Sequence, residues 1–450
     1  MKTNRFSRRE FMGIGAAAAG ATLAAKSILL DPDPLWASPR PFAASDKVRF
    51  GMIGIGMQGS GLLGTAITLP GVECVAASDL YDGRHTLAKE LVRADLPTTR
   101  HYQELLANKD IDCIVAAVPD HWHKRVVVDA VSAGKDIYCE KPMSHTAADG
   151  VEMVAAAQRT GRIVQIGSQR VSSVVCAKAK ELVAQGVLGD LMMVEGSMGR
   201  NDPNGAWEYP LPTDLSTTTL DWETWQNDVP KRPFDPYIFA RWRCWKEYGT
   251  GVAGDLLVHL VSGMNYVLGW NQAPNRVIAS GGILRWKDGR NMPDVHAAIF
   301  EYGKIPVYLR LNLGTETPET YRFMGSKGYI DMTEFGVSYS PQPGVDTAPS
   351  YYSYGFPREM REAYVKKWHE ENDPKPGQEP IPETLSFRGP SYDEVKPHLW
   401  NFFEAVRTRR PVVEDAVFGH HAALACHMAN ESYFRKSPVT WDEATQTIKG

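Results

Sequence analysis

From Lys47 onward, apolar runs of strand length alternate with longer segments of helical periodicity. The run VRFGMI enters GIGMQG and a helix-like stretch, and a second apolar run, VECVAAS, follows. The helix-like YQELLANKD then precedes IDCIVAAV, and the turn PDHWH leads into the helix VVVDAVSAGK. DIYC and the segment EKPMS come next, and AADGVEMVAAAQRTG precedes RIVQIGS. Strands separated by helices at this rhythm predict a parallel, doubly wound sheet. Ligands of such sheets bind beyond the carboxyl ends of the strands. Pro119, His121, His123, Glu140, Lys141, Gln169 and Arg170 all fall just past predicted strand ends, so they are expected to face one cleft.

The turn Gly54-Ile55-Gly56-Met57-Gln58-Gly59 has the spacing of a dinucleotide-binding loop. Gly54 permits the tight turn, Gly56 lets a pyrophosphate approach the backbone, and Gly59 lets helix and strand pack closely. Asp79, at the end of VECVAAS, lies 25 positions after Gly54. An acidic side chain there accepts hydrogen bonds from ribose hydroxyls and repels a 2′-phosphate, which favours NAD over NADP. Arg84 nearby keeps NADP as the second possibility.

Lys141, in EKP, is the sharpest chemical candidate, with Pro142 fixing its turn. A Lys beside a nicotinamide can hydrogen-bond a substrate hydroxyl, stabilise an alkoxide, or act as an acid or base once burial lowers its pKa. Asp120, His121 and His123 spell D-H-x-H, but no third or fourth ligand follows at metal spacing, and the same holds for His420, His421 and His427. No metal is expected.

GIGMQG, SDLYDGR, VPDHWH, AGKDIYCEKP and IGSQR together resemble the glucose–fructose oxidoreductase and inositol dehydrogenase (Gfo/Idh/MocA) family. GVAGDLLVHLVSGMNYVLG, FMGSKGYIDM and HLWNFFEAVRTRRPVVEDAVFGHHAALACHMA extend the resemblance from about Val48 to the C-terminus. It implies an α/β fold: an N-terminal Rossmann domain followed by an α/β domain whose open, mostly antiparallel sheet covers the cleft and often mediates oligomers. A homo-oligomer, dimer or tetramer, is therefore expected. The family's Lys matches Lys141, and its D-x-x-x-H motif matches Asp255 and His259. Positions i and i+4 share a helix face, so both side chains can enter one pocket. The resemblance makes His259 the base that takes a hydroxyl proton, with Asp255 orienting it and Lys141 as electrostatic partner. Many relatives carry an Asp three positions after that His, where this chain has Ser262.

Residues 199–251 form a Trp-rich insertion containing Trp207, Trp222, Trp225, Trp242 and Trp245, with Arg241 and Arg243 flanking Trp242. Aromatic planes stack on pyranose faces while Arg and Asp bind hydroxyls, so Trp207, Tyr237, Arg241, Trp242 and Arg243 are candidate substrate contacts. A structural flap packed on the sheet is the equal alternative. Residues 340–391, rich in Pro, Tyr and charge, read as a long irregular excursion at the cleft rim or a subunit contact.

Composition adds limits. A net charge of −4 over 450 residues gives no reason to expect nucleic acid as a partner. Twelve Trp and eighteen Tyr suit core packing as well as a sugar cleft. Ser7-Arg8-Arg9-Glu10-Phe11-Met12 has the form of a twin-arginine export signal, followed by a weakly apolar run carrying Lys26 and a Pro-rich linker. That run is a poor membrane span. Candidate cleavage points lie near Ala25, Ala37 and Ala44, and no Cys precedes Cys74 to carry a lipid. Domains are thus expected at 1–45 (signal and linker), 46–168 (NAD-binding) and 169–450 (substrate and assembly). Cys74, Cys113 and Cys139 fall in or beside apolar strand-like runs, and twin-arginine substrates fold in a reducing compartment before export, so no disulfide is expected.

A periplasmic enzyme has no comparable pool of free NAD to exchange with. The cofactor must then stay bound and be regenerated on the enzyme. Two closed cycles fit: oxidation of one sugar or polyol with reduction of a second carbonyl compound, or oxidation, elimination, hydration and re-reduction of a single glycoside. The second would need another base for the C–H proton, with Tyr237 and His121 as candidates. A non-catalytic sugar-binding or scaffold protein is the remaining alternative.

Overall fold

The computed structural model describes residues 47–342, 350–373, 384–389 and 393–450. The expected export signal, its linker and parts of the 340–391 excursion lie outside the described residues. Strands β1 (Val48–Ile53), β2 (Val72–Ser78), β3 (Thr98–Thr99), β4 (Cys113–Ala116), β5 (Asp136–Glu140) and β6 (Val164–Gly167) form one sheet in the order β3-β2-β1-β4-β5-β6. Every pairing in it is parallel. All residues of β4, β5 and β6 are buried, because helices cover both faces of such a sheet.

The intervening helices are α1 (Met57–Ala66), α2 (Asp82–Leu91), α3 (Tyr102–Ala107), α4 (Asp120–Ser132) and α5 (Ala147–Thr160). In α4 the buried positions His123, Val126, Val127, Ala130 and Val131 recur at helical spacing. Thr146 caps α5 by accepting from the Asp149 N–H, and Gly161 closes it in a left-handed conformation.

The second domain starts with α6 (Val174–Ala184) and β7 (Leu191–Gly199). After the insertion come α7 (Val258–Leu268), β8 (Arg276–Gly282), β9 (Val295–Tyr302), β10 (Ile305–Asn312), β11 (Thr317–Gly325), β12 (Gly328–Thr333) and β13 (Gly336–Pro341). With β14 (Leu385–Arg388), β15 (Val439–Asp442) and β16 (Thr447–Lys449), the described strands order as β14-β13-β12-β11-β7-β10-β9-β8-β15-β16. Among the described strands of this sheet, only β7 and β10 pair in parallel. In β9, His296, Ala298, Phe300 and Tyr302 are buried while Ile299 between them is exposed, the alternation of a sheet covered on one face.

The longer helices that follow are α8 (Arg358–Asn372), α9 (Val395–Thr408) and α10 (Ala416–Arg435). Helix α9 returns to the first domain: Leu399, Phe402 and Phe403 share a core with Phe50 and Tyr138. It belongs there by packing, although its residues fall within 169–450. Helix α10 contributes Leu424 and Met428 to the core of the second domain, beside Val258 and Met264 of α7. All six cysteines are buried and unpaired. No described helix is long and apolar enough to cross a membrane.

Candidate active site

A cavity of about 900 Å³ opens at the carboxyl ends of β1 and β4, where the strand order reverses. Gly54 adopts φ +83°, and a Cβ there would sit 2.5 Å from the Ala117 carbonyl oxygen. A Cβ on Gly59 would approach the Gly54 carbonyl oxygen to 2.1 Å, so Gly59 serves helix–strand contact rather than the cavity wall. Gly56, on the wall, has nothing within 4 Å of its missing Cβ, and no side chain caps the α1 N-terminus. The unpaired N–H groups of that first turn form a cradle of the kind a pyrophosphate occupies. The residues present therefore fit a dinucleotide.

Asp79 lies beyond β2 with Oδ2 accepting from the Ile55 N–H (2.8 Å) and Oδ1 from the Tyr81 N–H (2.9 Å). Burial raises its pKa against these two hydrogen bonds. Asp79 and Arg84 both line the cavity, as do Met57, Gln58 and Pro119. Glu140 accepts from Gln58 Nε2 and Gln169 Nε2, each at 2.9 Å, and Gln169 Nε2 also lies 2.9 Å from the Tyr138 hydroxyl. Burial pushes the Glu140 carboxyl upward, while Lys141 and the two amides oppose it. The Lys141–Pro142 peptide is cis.

Asp255 stands on a π-helical turn, Ala253–Leu257, that runs directly into α7. The expected plain i, i+4 helix is therefore locally widened, although both Asp255 and His259 still line the cavity. Gly254 permits a close approach here, since a Cβ would overlap Thr250 Oγ1 at 1.8 Å. Lys141 Nζ donates to the Asp255 carbonyl (2.7 Å) and to Oδ1 (2.9 Å), and Arg243 Nε donates to the same Oδ1 (2.9 Å). Trp207 Nε1 donates to Oδ2 (3.1 Å). Burial disfavours the Asp255 charge, but Lys141 and Arg243 more than offset it and hold the carboxyl far below its usual range.

His259 differs from the expectation in one respect. Asp255 does not orient it by hydrogen bonding: no bond joins the two side chains, and the carboxylate is held instead by Lys141, Arg243 and Trp207. His259 Nδ1 is buried without a partner, and its carbonyl accepts from the Tyr321 and Ser262 hydroxyls. Burial, reinforced by the positive charges of Lys141 and Arg170, pushes the imidazole pKa well below normal. The ring is neutral at pH 7 and able to accept a proton. Ser262 itself is fully buried, turned back onto α7.

Several candidates are placed elsewhere. His121 and His123 do not line the cavity. His121 Nδ1 and Nε2 face the Tyr248 and Trp225 carbonyls at 3.2 and 2.9 Å, and burial depresses its pKa to about 3. His123 faces the Pro142 and Val118 carbonyls at 2.7 and 2.9 Å, which ties down the EKP turn. With both ring nitrogens facing carbonyls, neither residue is a cofactor ligand, and His121 is not a second base. Arg170 points away from the cavity into Glu319 and Glu394. Trp207 is 1% exposed and holds Asp255 rather than stacking on a ligand. Tyr237 is 51% exposed outside the cavity, with the Arg241 guanidinium over its ring and Arg241 Nε donating to the Tyr209 carbonyl. Trp242 and Arg243 do line the cavity.

The insertion forms a strap along the Asp79 side of the cavity. Trp222 and Trp225 stack at 4.9 Å in a small core with Tyr81, Leu220 and Tyr248. The Tyr81 hydroxyl donates to Asp214, the Asp82 N–H to the Thr219 carbonyl (2.9 Å), and the Asp221 N–H to the Leu80 carbonyl (3.0 Å). Trp122 Nε1 donates to the Trp225 carbonyl (2.8 Å), and Asn227 Nδ2 to the His121 carbonyl (2.9 Å). Pro212, Thr224, Trp225 and Asn227 consequently share the cavity wall with Asp79. Arg200, just past β7, and Tyr209, inside WEYPLP, also line it and were not singled out from sequence. The position of Arg200 beyond a strand end was the available signal.

Residues 48–168 match the oxidoreductase family model for the NAD-binding Rossmann fold (GFO_IDH_MocA), and residues 180–441 match its C-terminal alpha/beta domain. Inositol 2-dehydrogenase of Salmonella typhimurium is 34% identical over 175 residues, 38% of this chain and 52% of that protein. The matched stretch thus spans about half the length of that relative. Glycosyl hydrolase family 109 protein 1 of Bacteroides fragilis is 25% identical over 300 residues, 63% of this chain and 60% of that protein. A levoglucosan dehydrogenase solved with NADH and levoglucosan superposes with a TM-score of 0.63 at 19% identity, covering 88% of this chain and 99% of that one. With both family models matched across most of its length, the chain belongs to the Gfo/Idh/MocA oxidoreductase family.

Proposed function

We propose that this protein is an exported oxidoreductase for a sugar, polyol or glycoside that keeps NAD bound and recycles it on the enzyme. The observation that carries the chemistry is a neutral, unpartnered imidazole, His259, beside the anchored ammonium of Lys141 at the dinucleotide cleft. The dehydrogenases among the relatives support a hydroxylated substrate. The strap along the Asp79 side of the cavity supports retention of the cofactor, and the Arg8-Arg9 motif supports export.

A nicotinamide cofactor, when bound, supplies acceptance and return of a hydride. The chain's own residues supply the rest. His259 takes the proton from the substrate hydroxyl. Lys141 has three N–H donors, two of which reach Asp255, leaving one to hold the substrate oxygen as negative charge develops. Asp255 keeps Lys141 in place, and Trp207 and Arg243 keep Asp255 in place. Asp79 receives the ribose hydroxyls, which favours NAD over NADP.

The test is to purify the protein without added cofactor, denature it by heat and quantify the released NAD(H) and NADP(H). Near one equivalent of NAD(H) per chain, with sugar turnover needing no free nucleotide, is the expected result. Absence of nucleotide together with turnover only on added NAD would overturn the retained-cofactor reading. A second reading, the redox-neutral glycosidase, draws on the family 109 relative. Its mark would be glycoside cleavage with no change in total NADH. A homo-oligomer is expected through the open face of the ten-stranded sheet, where the paired Ile278 and Ile299 lie exposed.

A further inference from the structure

A second hollow, of about 360 Å³, has His259 in its wall. His259 and Gln169 belong to the walls of both cavities, so the two adjoin at the proposed base. Its volume falls within the roughly 300–1,000 Å³ usual for small-molecule sites. Its other walls come from the N-terminal ends of α6 and α9 and from the tight turn between β12 and β13.

The side chains there are chemically specific. Phe335, in the β12–β13 turn, is 61% exposed, an apolar face open for stacking. Glu334 beside it approaches Arg170 only to 3.9 Å, beyond hydrogen-bond reach, so its carboxylate remains an acceptor. Asp393 takes the Val395 N–H on Oδ1, leaving Oδ2. Arg170 is fixed by Glu319 and Glu394, and so forms wall rather than a free cation. Gln169 is 8% exposed, with its amide N–H₂ held by Tyr138 and Glu140, and among the described residues no donor reaches its Oε1. No group of three or more acidic, His or Cys side chains among the described residues could hold a metal ion. An open ring face beside unsatisfied acceptors suits a polyhydroxylated ring, whose hydroxyls donate and whose C–H face stacks.

We propose that this hollow is a second carbohydrate subsite, holding the ring glycosidically linked to the one that reacts at His259. The protein would then act on a glycoside of two or more rings rather than on a free monosaccharide. This rests on the sugar or glycoside reading of the main cavity.

Calorimetric titration of the holoenzyme with methyl glycosides and matching disaccharides of glucose, galactose and mannose separates binding from turnover. For the preferred sugar, the disaccharide binds more tightly than the methyl glycoside. The double variant Phe335→Ala/Glu334→Gln removes that advantage, roughly tenfold, and leaves methyl glycoside affinity unchanged. Equal binding of both ligands by wild type, or equal weakening of both by the variant, overturns the subsite. Phe335-dependent disaccharide binding with no sugar product formed keeps the subsite and overturns the enzymatic reading. Binding of no sugar in the panel overturns both.

Discussion

In the first turn of α4, Asp120–His123, which the sequence suggested as a loop, both imidazoles face backbone carbonyls, whereas in Asp255–His259 the imidazole keeps Nδ1 without a partner. The acidic members differ as well. Asp120 Oδ2 accepts from the Thr250 N–H and hydroxyl (2.9 and 2.6 Å), which joins the first domain to the base of the π-helical turn. Asp255 instead gathers Lys141, Arg243 and Trp207 at the cavity wall. Both motifs place an Asp and a His near one cleft. What separates them is whether the ring nitrogens are already committed, and only the uncommitted ring suits the proton transfer proposed for His259.

The largest expected effect tests that division directly. His259→Ala should lower kcat by about 10²–10⁴, the usual worth of a general base, with little change in thermal midpoint or in bound NAD(H). Steady-state kinetics beside a melting curve checks it. A His259→Ala protein that melts far earlier but turns over normally would place His259 with His121 as a structural residue. Asp255→Asn comes next. It leaves Lys141 and Arg243 short of a counter-charge, and breaking one partner of a buried ion set costs about 3–5 kcal/mol. Urea unfolding of the variant measures this, and an unchanged midpoint would mean that solvent already screens the cluster.

His121→Ala should show the opposite profile from His259→Ala. It opens a cavity between Trp225 and Tyr248 and releases the carbonyls that face the ring, a loss of roughly 2–4 kcal/mol. Because His121 anchors the strap at Trp225, the variant should also give up NAD faster on dilution, read by the nucleotide left after gel filtration. Normal retention would mean that the Tyr81–Asp214 and Leu80–Asp221 contacts close the strap without it.

The difference between the two motifs also marks what a sequence can carry. Gly54, Gly59, Asp79 and Lys141 are legible because their constraint is local: a positive φ, a close approach, a position just past a strand. The parallel sheet is legible for the same reason, since apolar runs and helical periods alternate within short windows. The fates of His121 and His123 depend on carbonyls of Trp225, Tyr248 and Pro142, the first two more than 100 positions away along the chain, and no spacing rule encodes them. Trp207 reads as a stacking platform until its left-handed backbone (φ 66°) is seen to turn its N–H onto Asp255. Helix α9 carries the amphipathic pattern of any packed helix, so its sequence alone does not say which domain it covers.

The smallest effect concerns pH. Folded His121 has its pKa pushed down to about 3 and folded His259 lies well below normal, in both cases chiefly through burial. In the unfolded chain each returns to about 6.5. Below that value the unfolded state binds protons that the native state refuses, so stability falls as pH drops from about 6.5 through the folded pKa values. Each such histidine contributes at most about 1.4 kcal/mol per pH unit in that window and nothing above it. His121→Asn removes one such site among several, since His296, His398, His420 and His427 are also depressed by burial, so its unfolding free energy should decline less steeply than that of wild type between pH 6 and pH 4, measured by urea titration at each pH. Catalysis should behave differently. The proton-accepting form of His259 persists through the ordinary histidine range, so kcat/KM should show no acid limb near 6.5 in wild type or in His121→Asn. An acid limb near 6.5 in wild type would mean that the ring is hydrated in solution, and the contrast between a committed and an uncommitted imidazole would then rest on hydrogen bonding alone.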